Sequence, residues 1–242
     1  MDAIERVKRE LVVANRILAH QRVLDAYGHV SIRHPLDPSR HFLSRSTGPA
    51  IVVSGDIVEF THDGVPVSPE KRPLYLERFI HGAVYALRPD VNAVLHAHAE
   101  DVLPFTISSV PFRPVLQNVG DMGAPIPVWD IADRFGVDTD LLVRNIEQGR
   151  DLASTLAQGR VALMRSHGFV STGRTLNDLV RLSVYIPRNA RVLMAAMRLG
   201  GEVKGVHPGE MAARLAIDPE SPAMRRGWEL WAREAGCADM LD

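Results

Sequence analysis

The segment that most constrains the fold is a predicted helix that leads, within a few residues, into a predicted buried strand. It is LYLERFIHGAVYALRPDVNAVLHAHA, residues 74–99. Apolar residues recur at helical spacing over residues 74–87, and Pro73 and Pro89 bracket this helix. The remainder, VNAVLHAHA, is typical of a strand. A helix with an apolar stripe has to bury it on another layer, so this block predicts a helix packed on a sheet.

The same alternation of helices and short strands continues along the chain. Further helices are predicted over residues 3–26, 141–157, 175–198 and 221–234. Strands are predicted over residues 29–34 and 41–45, with hairpins over residues 56–67 and 161–173. Pro187 lies inside a predicted helix and indicates a kink or a break there. Because no linker or repeat interrupts the pattern, we expect one α/β domain over residues 1–242, with a helical extension from about residue 205.

Composition and charge exclude several classes of protein. The chain has 28 Lys and Arg against 29 Asp and Glu, a formal net charge of −1, which argues against a nucleic-acid partner held through phosphates. No apolar run reaches the ~18 residues of a membrane span, and the charged start MDAIERVKRE is unlike a signal peptide. Cys237 is the only cysteine, which rules out an internal disulfide or a multi-cysteine zinc site. We therefore expect a cytoplasmic protein without a membrane or nucleic-acid partner.

Among ten histidines, His96 and His98 form the sharpest pattern. Side chains at positions i and i+2 of a strand share one face, so both imidazoles project together, as a metal site requires. His167 lies in a predicted turn after the buried strand VALM, and Glu77 lies on the helix before the strand. Three imidazoles and one carboxylate suit Zn²⁺, Mn²⁺ or Fe²⁺. Taken alone, the same residues also fit ordinary polar positions on a strand, a turn and a solvated helix face.

A polar loop is the second candidate site. It consists of Ser44, Arg45, Ser46, Thr47 and Gly48. Its guanidinium, hydroxyl groups and glycine can bind a carboxylate or a phosphate, although a polar turn accounts for the loop without any ligand. The turn Tyr27-Gly28-His29 joins a predicted helix to a strand, and its role stays open from the residues alone.

Four segments together make the sequence resemble the class II aldolase/adducin family. They are YGHVSIR (27–33), FLSRSTG (42–48), the block from Glu77 to His98, and MRSHGFVSTG (164–173). The resemblance runs from about residue 3 to residue 199. It implies a three-layer α/β/α fold with a central, mostly antiparallel sheet, and homo-oligomers, commonly tetramers, with active sites at subunit interfaces. It also implies a divalent metal ion held by His96, His98 and His167, with Glu77 as a further ligand or a proton-transfer group.

The departures from the family pattern concern the substrate. Where the sugar-phosphate aldolases of the family place two serines before the catalytic glutamate, this chain has Tyr75 and Leu76. His29 stands where the family usually has an asparagine, whereas residues 47–48 match the phosphate loop. An aromatic ring, an imidazole and the added guanidinium of Arg45 suit a planar carboxylate better than a phosphosugar.

The resulting hypothesis is a carbon–carbon lyase, namely a divalent-metal-dependent decarboxylase of a hydroxylated aromatic or heteroaromatic carboxylate in aromatic-compound catabolism. We expect Mn²⁺ or Zn²⁺, with Fe²⁺ also open, to stabilise negative charge next to the broken bond. Glu77 or His29 would handle the proton. The substrate would contact Tyr75 and the loop residues Ser44, Arg45, Ser46, Thr47 and Gly48.

Three alternatives stay open at this point. A retro-aldolase or dehydratase would act on a hydroxy-keto acid or a sugar phosphate, and the aldolase would release an aldehyde instead of CO2. A non-haem iron oxygenase would use the same set of ligands and would consume O2. A non-catalytic, adducin-like interaction module would bind no metal ion.

Overall fold

Seven strands form one sheet in the computed structural model, which describes residues 2–241. The strands are β1 (His29–Arg33), β2 (Arg40–Ser44), β3 (Ile57–Thr61), β4 (Ala93–Ala97), β5 (Val128–Trp129), β6 (Val161–Met164) and β7 (Gly168–Gly173). Their order across the sheet is β3-β2-β1-β4-β7-β6-β5, and every neighbouring pair is antiparallel except β5 and β6. The prediction of a mostly antiparallel central sheet is confirmed.

Helices cover both faces of this sheet. They are α1 (Ala3–His20), α2 (Arg78–Leu87), α3 (Leu103–Thr106), α4 (Ala132–Phe135), α5 (Ile146–Leu156), α6 (Leu176–Leu199), α7 (Pro208–Leu215) and α8 (Pro222–Glu234). Apolar side chains of α1, α6 and α8 pack in one core with one face of the sheet, and those of α2 and α5 pack in a second core with the other face. The three-layer α/β/α arrangement is therefore confirmed.

Three helices are shorter than the sequence predicts. The first helix ends at His20 instead of residue 26, because Arg22 adopts the left-handed conformation (φ 57°), which a helix cannot contain. The second begins at Arg78 instead of residue 74. The helix predicted from residue 141 begins at Ile146, where the side chain of Asn145 caps it by accepting a hydrogen bond from the N–H of residue 148. The residues that lie in loops beside these shorter helices contribute to the candidate site described below.

The break that the sequence allows at Pro187 is absent, because α6 continues through this residue as one helix. A proline removes one backbone hydrogen bond from a helix. Most of the first 18 residues of α6 are buried between α1, α8 and the sheet, so packing outweighs that loss.

The predicted hairpin over residues 56–67 has only one regular arm. Its turn is present, with Gly64 at a φ of 74°, but the returning segment pairs with β3 only through an isolated bridge between Phe60 and Pro66. The two hydrogen bonds of this bridge run from the N–H of Thr61 to the carbonyl oxygen of Val65 and from the N–H of Val67 to that of Glu59. They flank Pro66, which is tolerated there because its missing N–H is not needed for pairing with β3.

The terminal helix α8 packs on the body of its own chain. Trp228 and Trp231 are each 7% exposed and belong to the core formed with α1 and α6. These two rings therefore offer no support for assembly with another subunit. No helix within residues 2–241 combines the length and the apolar character needed to cross a membrane.

Candidate metal centre and active-site cleft

The strand register brings four histidines to one end of the sheet. His29 begins β1 and pairs directly with His96 near the end of β4. His98 follows β4, and His167 lies in the tight turn that joins β6 to β7. Because β1, β4 and β7 are neighbours in the sheet, the imidazoles of these residues meet at this end.

A carboxylate completes the cluster. Glu77 immediately precedes α2, and its Oε2 lies 3.3 Å from Nε2 of His96 and 3.4 Å from Nε2 of His167. The Nε2 atoms of His96 and His98 are 2.9 Å apart. One ligand atom from each of these four residues lies within 4.8 Å of the others. The four residues predicted to hold a metal ion are thus brought together in space.

Hydrogen bonds on the far side of two of the rings determine which nitrogen carries the proton. Nδ1 of His96 faces the carbonyl oxygen of Phe169 at 3.3 Å, and Nδ1 of His98 faces the carboxylate oxygens of Asp25 at 3.1 and 3.2 Å. Both partners can only accept, so each Nδ1 donates and each Nε2 presents a lone pair. Such lone pairs 2.9 Å apart, beside the Glu77 carboxylate, repel one another unless a proton or a metal ion lies between them. Imidazole lone pairs and a carboxylate form a ligand set that fits a divalent metal ion.

Burial and charge also favour the protonation states that bind metal. Burial lowers the pKa of His96 from 6.5 to about 4, although the neighbouring Glu77 acts to raise it. Burial by itself would raise the pKa of Glu77, but the adjacent His96 and His167 outweigh burial and hold that pKa below its usual range. Oε1 of Glu77 accepts a hydrogen bond from the backbone N–H of Val143 at 2.9 Å. Near neutral pH the cluster therefore offers a neutral imidazole and an ionised carboxylate to a metal ion.

His29 lies beside this cluster. Its ring is buried, with its centroid 5.3 Å from that of His96 and 4.5 Å from that of Tyr75. Burial, and after it the neighbouring His81, lowers the pKa of His29 well below its ordinary value. Nδ1 of His29 lies 2.7 Å from Nε2 of His81. This contact leaves Nε2 of His29 as the ring nitrogen without a hydrogen bond among residues 2–241.

A cleft of about 390 Å³ lies beside the cluster. Its lining residues are Asp25, Tyr27, His29, Ser46, Leu74, Tyr75, Leu76, Glu77, His98, Leu142 and His167. The lining combines apolar and aromatic side chains with the candidate metal ligands, and it includes no lysine or arginine. Within this chain, the positive partner for an anionic ligand in the cleft would thus be a metal ion.

The predicted substrate loop contributes one side chain to this cleft, that of Ser46. Ser44 is fully buried, and the carbonyl oxygen of Thr47 accepts a hydrogen bond from the hydroxyl of Tyr75. Gly48 immediately precedes a short 3-10 helix. The loop therefore supports the ring of Tyr75, which does line the cleft.

Arg45 does not line the cleft. Its Nε donates a hydrogen bond to Oδ1 of Asp56 at 2.7 Å, and its backbone N–H donates to the carbonyl oxygen of the same residue at 2.8 Å. The guanidinium thus takes part in an ion pair that joins the two ends of residues 45–56. Contact with a substrate carboxylate, which the sequence predicts for Arg45, would require the guanidinium to leave Asp56.

Two polar contributors to the site lie outside the sequence-based expectations, the Asp25 carboxylate and the backbone N–H of Val143. The apolar cleft walls Leu74 and Leu142 lie outside them as well. Oδ1 of Asp25 also accepts hydrogen bonds from the N–H groups of Tyr27 at 3.0 Å and Gly28 at 2.7 Å. An aspartate shortly before a glycine is typical of such a turn, so the turn was detectable in the sequence. The contact of Asp25 with His98 was not, because the two residues are 73 positions apart.

Comparison with known proteins identifies the family of this chain. The model of the Class II Aldolase and Adducin N-terminal domain matches residues 9–194, which confirms the resemblance found in the sequence. The chain is 36% identical over 246 residues to the decarboxylase tropJ of Talaromyces stipitatus, with 93% of this chain and 92% of that protein covered. It is 25% identical over 229 residues to the 3,4-dihydroxyphthalate decarboxylase of Arthrobacter keyseri, with 85% and 84% covered.

Solved structures share the fold. An aldolase II superfamily protein from Pseudomonas syringae superposes with a TM-score of 0.79 at 20% identity, over 99% of this chain and 96% of that one. The L-fuculose 1-phosphate aldolase of Glaciozyma antarctica superposes with a TM-score of 0.73 at 18% identity, over 97% and 92%. At this level of identity the likeness concerns the fold alone.

Proposed function

This chain belongs to the class II aldolase and adducin family, and from that premise we propose that it is a divalent-metal-dependent decarboxylase of a hydroxylated aromatic or heteroaromatic carboxylate. The observation that carries the proposal is that a cluster of candidate metal ligands lies beside an apolar, aromatic cleft. Imidazole lone pairs and a carboxylate converge at 2.9 to 3.4 Å, and the cleft beside them has apolar and aromatic walls. A flat, largely apolar molecule with an anionic edge matches both features.

The walls of the cleft favour a planar carboxylate over a phosphosugar. Tyr75 stands where the sugar-phosphate aldolases of the family have a serine, and its own hydroxyl donates a hydrogen bond to the carbonyl oxygen of Thr47. Leu74, Leu76 and Leu142 add only apolar surface. A phosphate dianion in this cleft would find few donors, and a buried anion without partners is costly by several kcal/mol. The relatives named as decarboxylases agree with this choice, since dihydroxyphthalate is a hydroxylated aromatic dicarboxylate.

Each residue of the site has a separate task in this proposal. His96, His98, His167 and Glu77 would hold Mn²⁺ or Zn²⁺. The bound ion would supply Lewis-acid stabilisation of the negative charge that carbon–carbon cleavage leaves next to an oxygen. Asp25 orients the ring of His98, Tyr75 packs against the substrate ring, and Ser46 contacts a polar edge. His29 faces the substrate beside the metal ligands.

Metal analysis followed by product detection tests this function. Protein loaded with Mn²⁺ or Zn²⁺ should release CO2 from hydroxylated aromatic carboxylates without O2. His96→Ala should lose both metal and activity while keeping its circular dichroism spectrum. His20→Ala is the matched control, because His20 is exposed at the end of α1 and should keep both.

Other products would identify the alternatives. Release of an aldehyde with no CO2 would indicate a retro-aldolase, and consumption of O2 would indicate an oxygenase. Protein that binds no metal and turns over nothing would point to an interaction module.

Assembly into a homo-oligomer, and specifically a tetramer, is part of the proposal, as is a cytoplasmic location. The support in the structure is the mouth of the cleft, where Tyr27 is 76% exposed and Leu76 is 51% exposed. Exposed apolar side chains beside a site mark a surface that another subunit can cover. Light scattering should report a tetramer, and a fully active monomer would contradict this part.

A further inference from the structure

A line of buried polar side chains runs from the middle of α2 to His29 at the cleft. The hydroxyl of Tyr85 lies 2.8 Å from Oγ of Ser31, and that Oγ lies 2.6 Å from Nδ1 of His81. Nε2 of His81 lies 2.7 Å from Nδ1 of His29. All four side chains belong to residues that are at most 1% exposed. Because water does not reach Tyr85, Ser31 and His81, these three side chains have to find their hydrogen-bond partners within the protein.

The direction of these hydrogen bonds follows from Tyr85. Burial raises the pKa of its phenol, which therefore keeps its proton and has to donate it. Among residues 2–241, Oγ of Ser31 is the acceptor within reach, so Tyr85 donates to Ser31. Ser31 can then donate its own proton to His81 at 2.6 Å or to the carbonyl oxygen of Val94 at 3.5 Å. The His81 ring also lies near the carbonyl oxygen of Val94. Because the 2.6 Å contact is much the shorter of the two open to Ser31, we take Ser31 to be the donor to His81.

The same direction of hydrogen bonding continues through the two histidine rings. Nδ1 of His81 accepts, so the neutral ring carries its proton on Nε2 and donates it to Nδ1 of His29. The neutral His29 ring then carries its own proton on Nε2, the nitrogen that makes no hydrogen bond among residues 2–241. We propose that Tyr85, Ser31 and His81 fix this tautomer of His29, so that His29 presents an N–H donor to the substrate and not a lone pair.

This inference rests on the proposed function for its consequence in catalysis. An N–H at this place can bind a carboxylate or phenolic oxygen of the substrate, whereas a lone pair would repel it. His29 is therefore the residue that touches the substrate, and Tyr85, Ser31 and His81 are positioning residues that act through it. The role of a base, which the sequence left open for His29, does not fit a ring whose nitrogen at the cleft is already protonated.

The tautomer itself can be measured without any substrate. The full chain would be labelled with ¹⁵N in the histidine rings and studied by solid-state NMR, both metal-free and loaded with Zn²⁺. The His29 signals would be assigned by their absence in His29→Asn. We expect the proton on Nε2 in the wild type and on Nδ1 in Ser31→Ala, because that variant removes the donor to His81.

Ser183→Ala is the matched control. It removes another buried serine hydroxyl, whose Oγ lies 2.9 Å from Oγ of Ser171 on the face of the sheet opposite to α2. This variant should leave the His29 signals unchanged. A proton on Nδ1 of His29 in the wild type, or no response to Ser31→Ala, overturns the proposal. Either result is independent of whether the protein is a decarboxylase.

Kinetics on the best carboxylate distinguish positioning from a general structural effect. Ser31→Ala should lower kcat/KM by about 10- to 100-fold, as expected for loss of a donor to a charged group. In a His29→Ala background the same substitution should have little further effect, because no tautomer remains to be fixed. Equal losses in both backgrounds would refute the positioning role. His81→Phe provides the same test if Ser31→Ala does not fold, because it removes the ring that donates to Nδ1 of His29.

Discussion

Replacing His41 with phenylalanine should make the protein less sensitive to acid. His41 lies on β2, is 0% exposed, and has no hydrogen-bond partner for either ring nitrogen among residues 2–241. Its ring is stacked on Phe60 at 5.7 Å and lies 5.2 Å from the ring of Tyr85. Burial, followed by the nearby His62, lowers the pKa of His41 from 6.5 to about 3. The buried ring thus takes up a proton far less readily than the same ring in the unfolded chain.

The sign and size of the effect follow from these two pKa values. Because the unfolded chain binds the proton below pH 6.5 and the folded chain only below about pH 3, stability is fully present above pH 6.5 and is lost as the pH falls from 6.5 to 3. Each pH unit in this window costs about 1.4 kcal/mol. Between pH 7 and pH 5, His41 alone should therefore account for a loss of about 2 kcal/mol.

Urea unfolding followed by circular dichroism, with a chelator present, measures this loss. The difference in the free energy of unfolding between pH 7 and pH 5 should be about 2 kcal/mol smaller in His41→Phe than in the wild type. At pH 7 the variant should be at least as stable, because phenylalanine has no polar atoms to leave without a partner. His41→Leu guards against a steric effect of the larger ring, and the exposed His20→Gln serves as the control. An unchanged difference in both variants at position 41 would show that His41 is not buried without partners.

Three further predictions concern single side chains. Asp25→Asn should weaken metal binding by about 10- to 100-fold without unfolding the protein, because the carboxylate orients the ring of His98. Titration against a fluorescent chelator would measure the metal affinity, and an unchanged affinity would contradict this role. Asp178→Asn should lower the free energy of unfolding by about 3–5 kcal/mol in urea melts, because it leaves two buried arginines without this carboxylate. Arg45→Lys should change KM for the best carboxylate only slightly, because the guanidinium pairs with Asp56; a large rise in KM would assign it to the substrate.

The parts of the site that the sequence could predict are those set by local spacing. The alternation of a strand puts His96 and His98 on one side, and a turn between two short strands places His167 at the end of those strands. Both patterns involve only neighbouring residues, and the family resemblance supplied the link between them. The fold class follows in the same way from the periods of the helices and strands.

The parts that could not be predicted depend on contacts between distant residues or on helix ends. Periodicity of apolar residues continues beyond both ends of a helical hydrogen-bond pattern, so it predicts helix over residues 21–26, which follow α1, and 74–77, which precede α2. The loops observed there carry Asp25 and Tyr75 into the cleft. A similar limit applies to Arg45, whose partner Asp56 is 11 positions away in a different turn.

In the central strands β1 and β4, successive side chains alternate between the apolar core on one face of the sheet and the candidate site on the other. Along β1, His29 and Ser31 face the helix α2, whereas Val30 belongs to the apolar core on the opposite face. Along β4, His96 shares the side of His29, and Leu95 lies in that same apolar core. Because the side-chain period of a strand is two, a shift of one residue in either strand would bury imidazoles in the core and turn apolar groups toward the candidate metal centre. The antiparallel pairing of His29 with His96 thus fixes the proposed substrate-facing donor relative to the candidate metal ligands through backbone hydrogen bonds, independently of the side-chain rotamers.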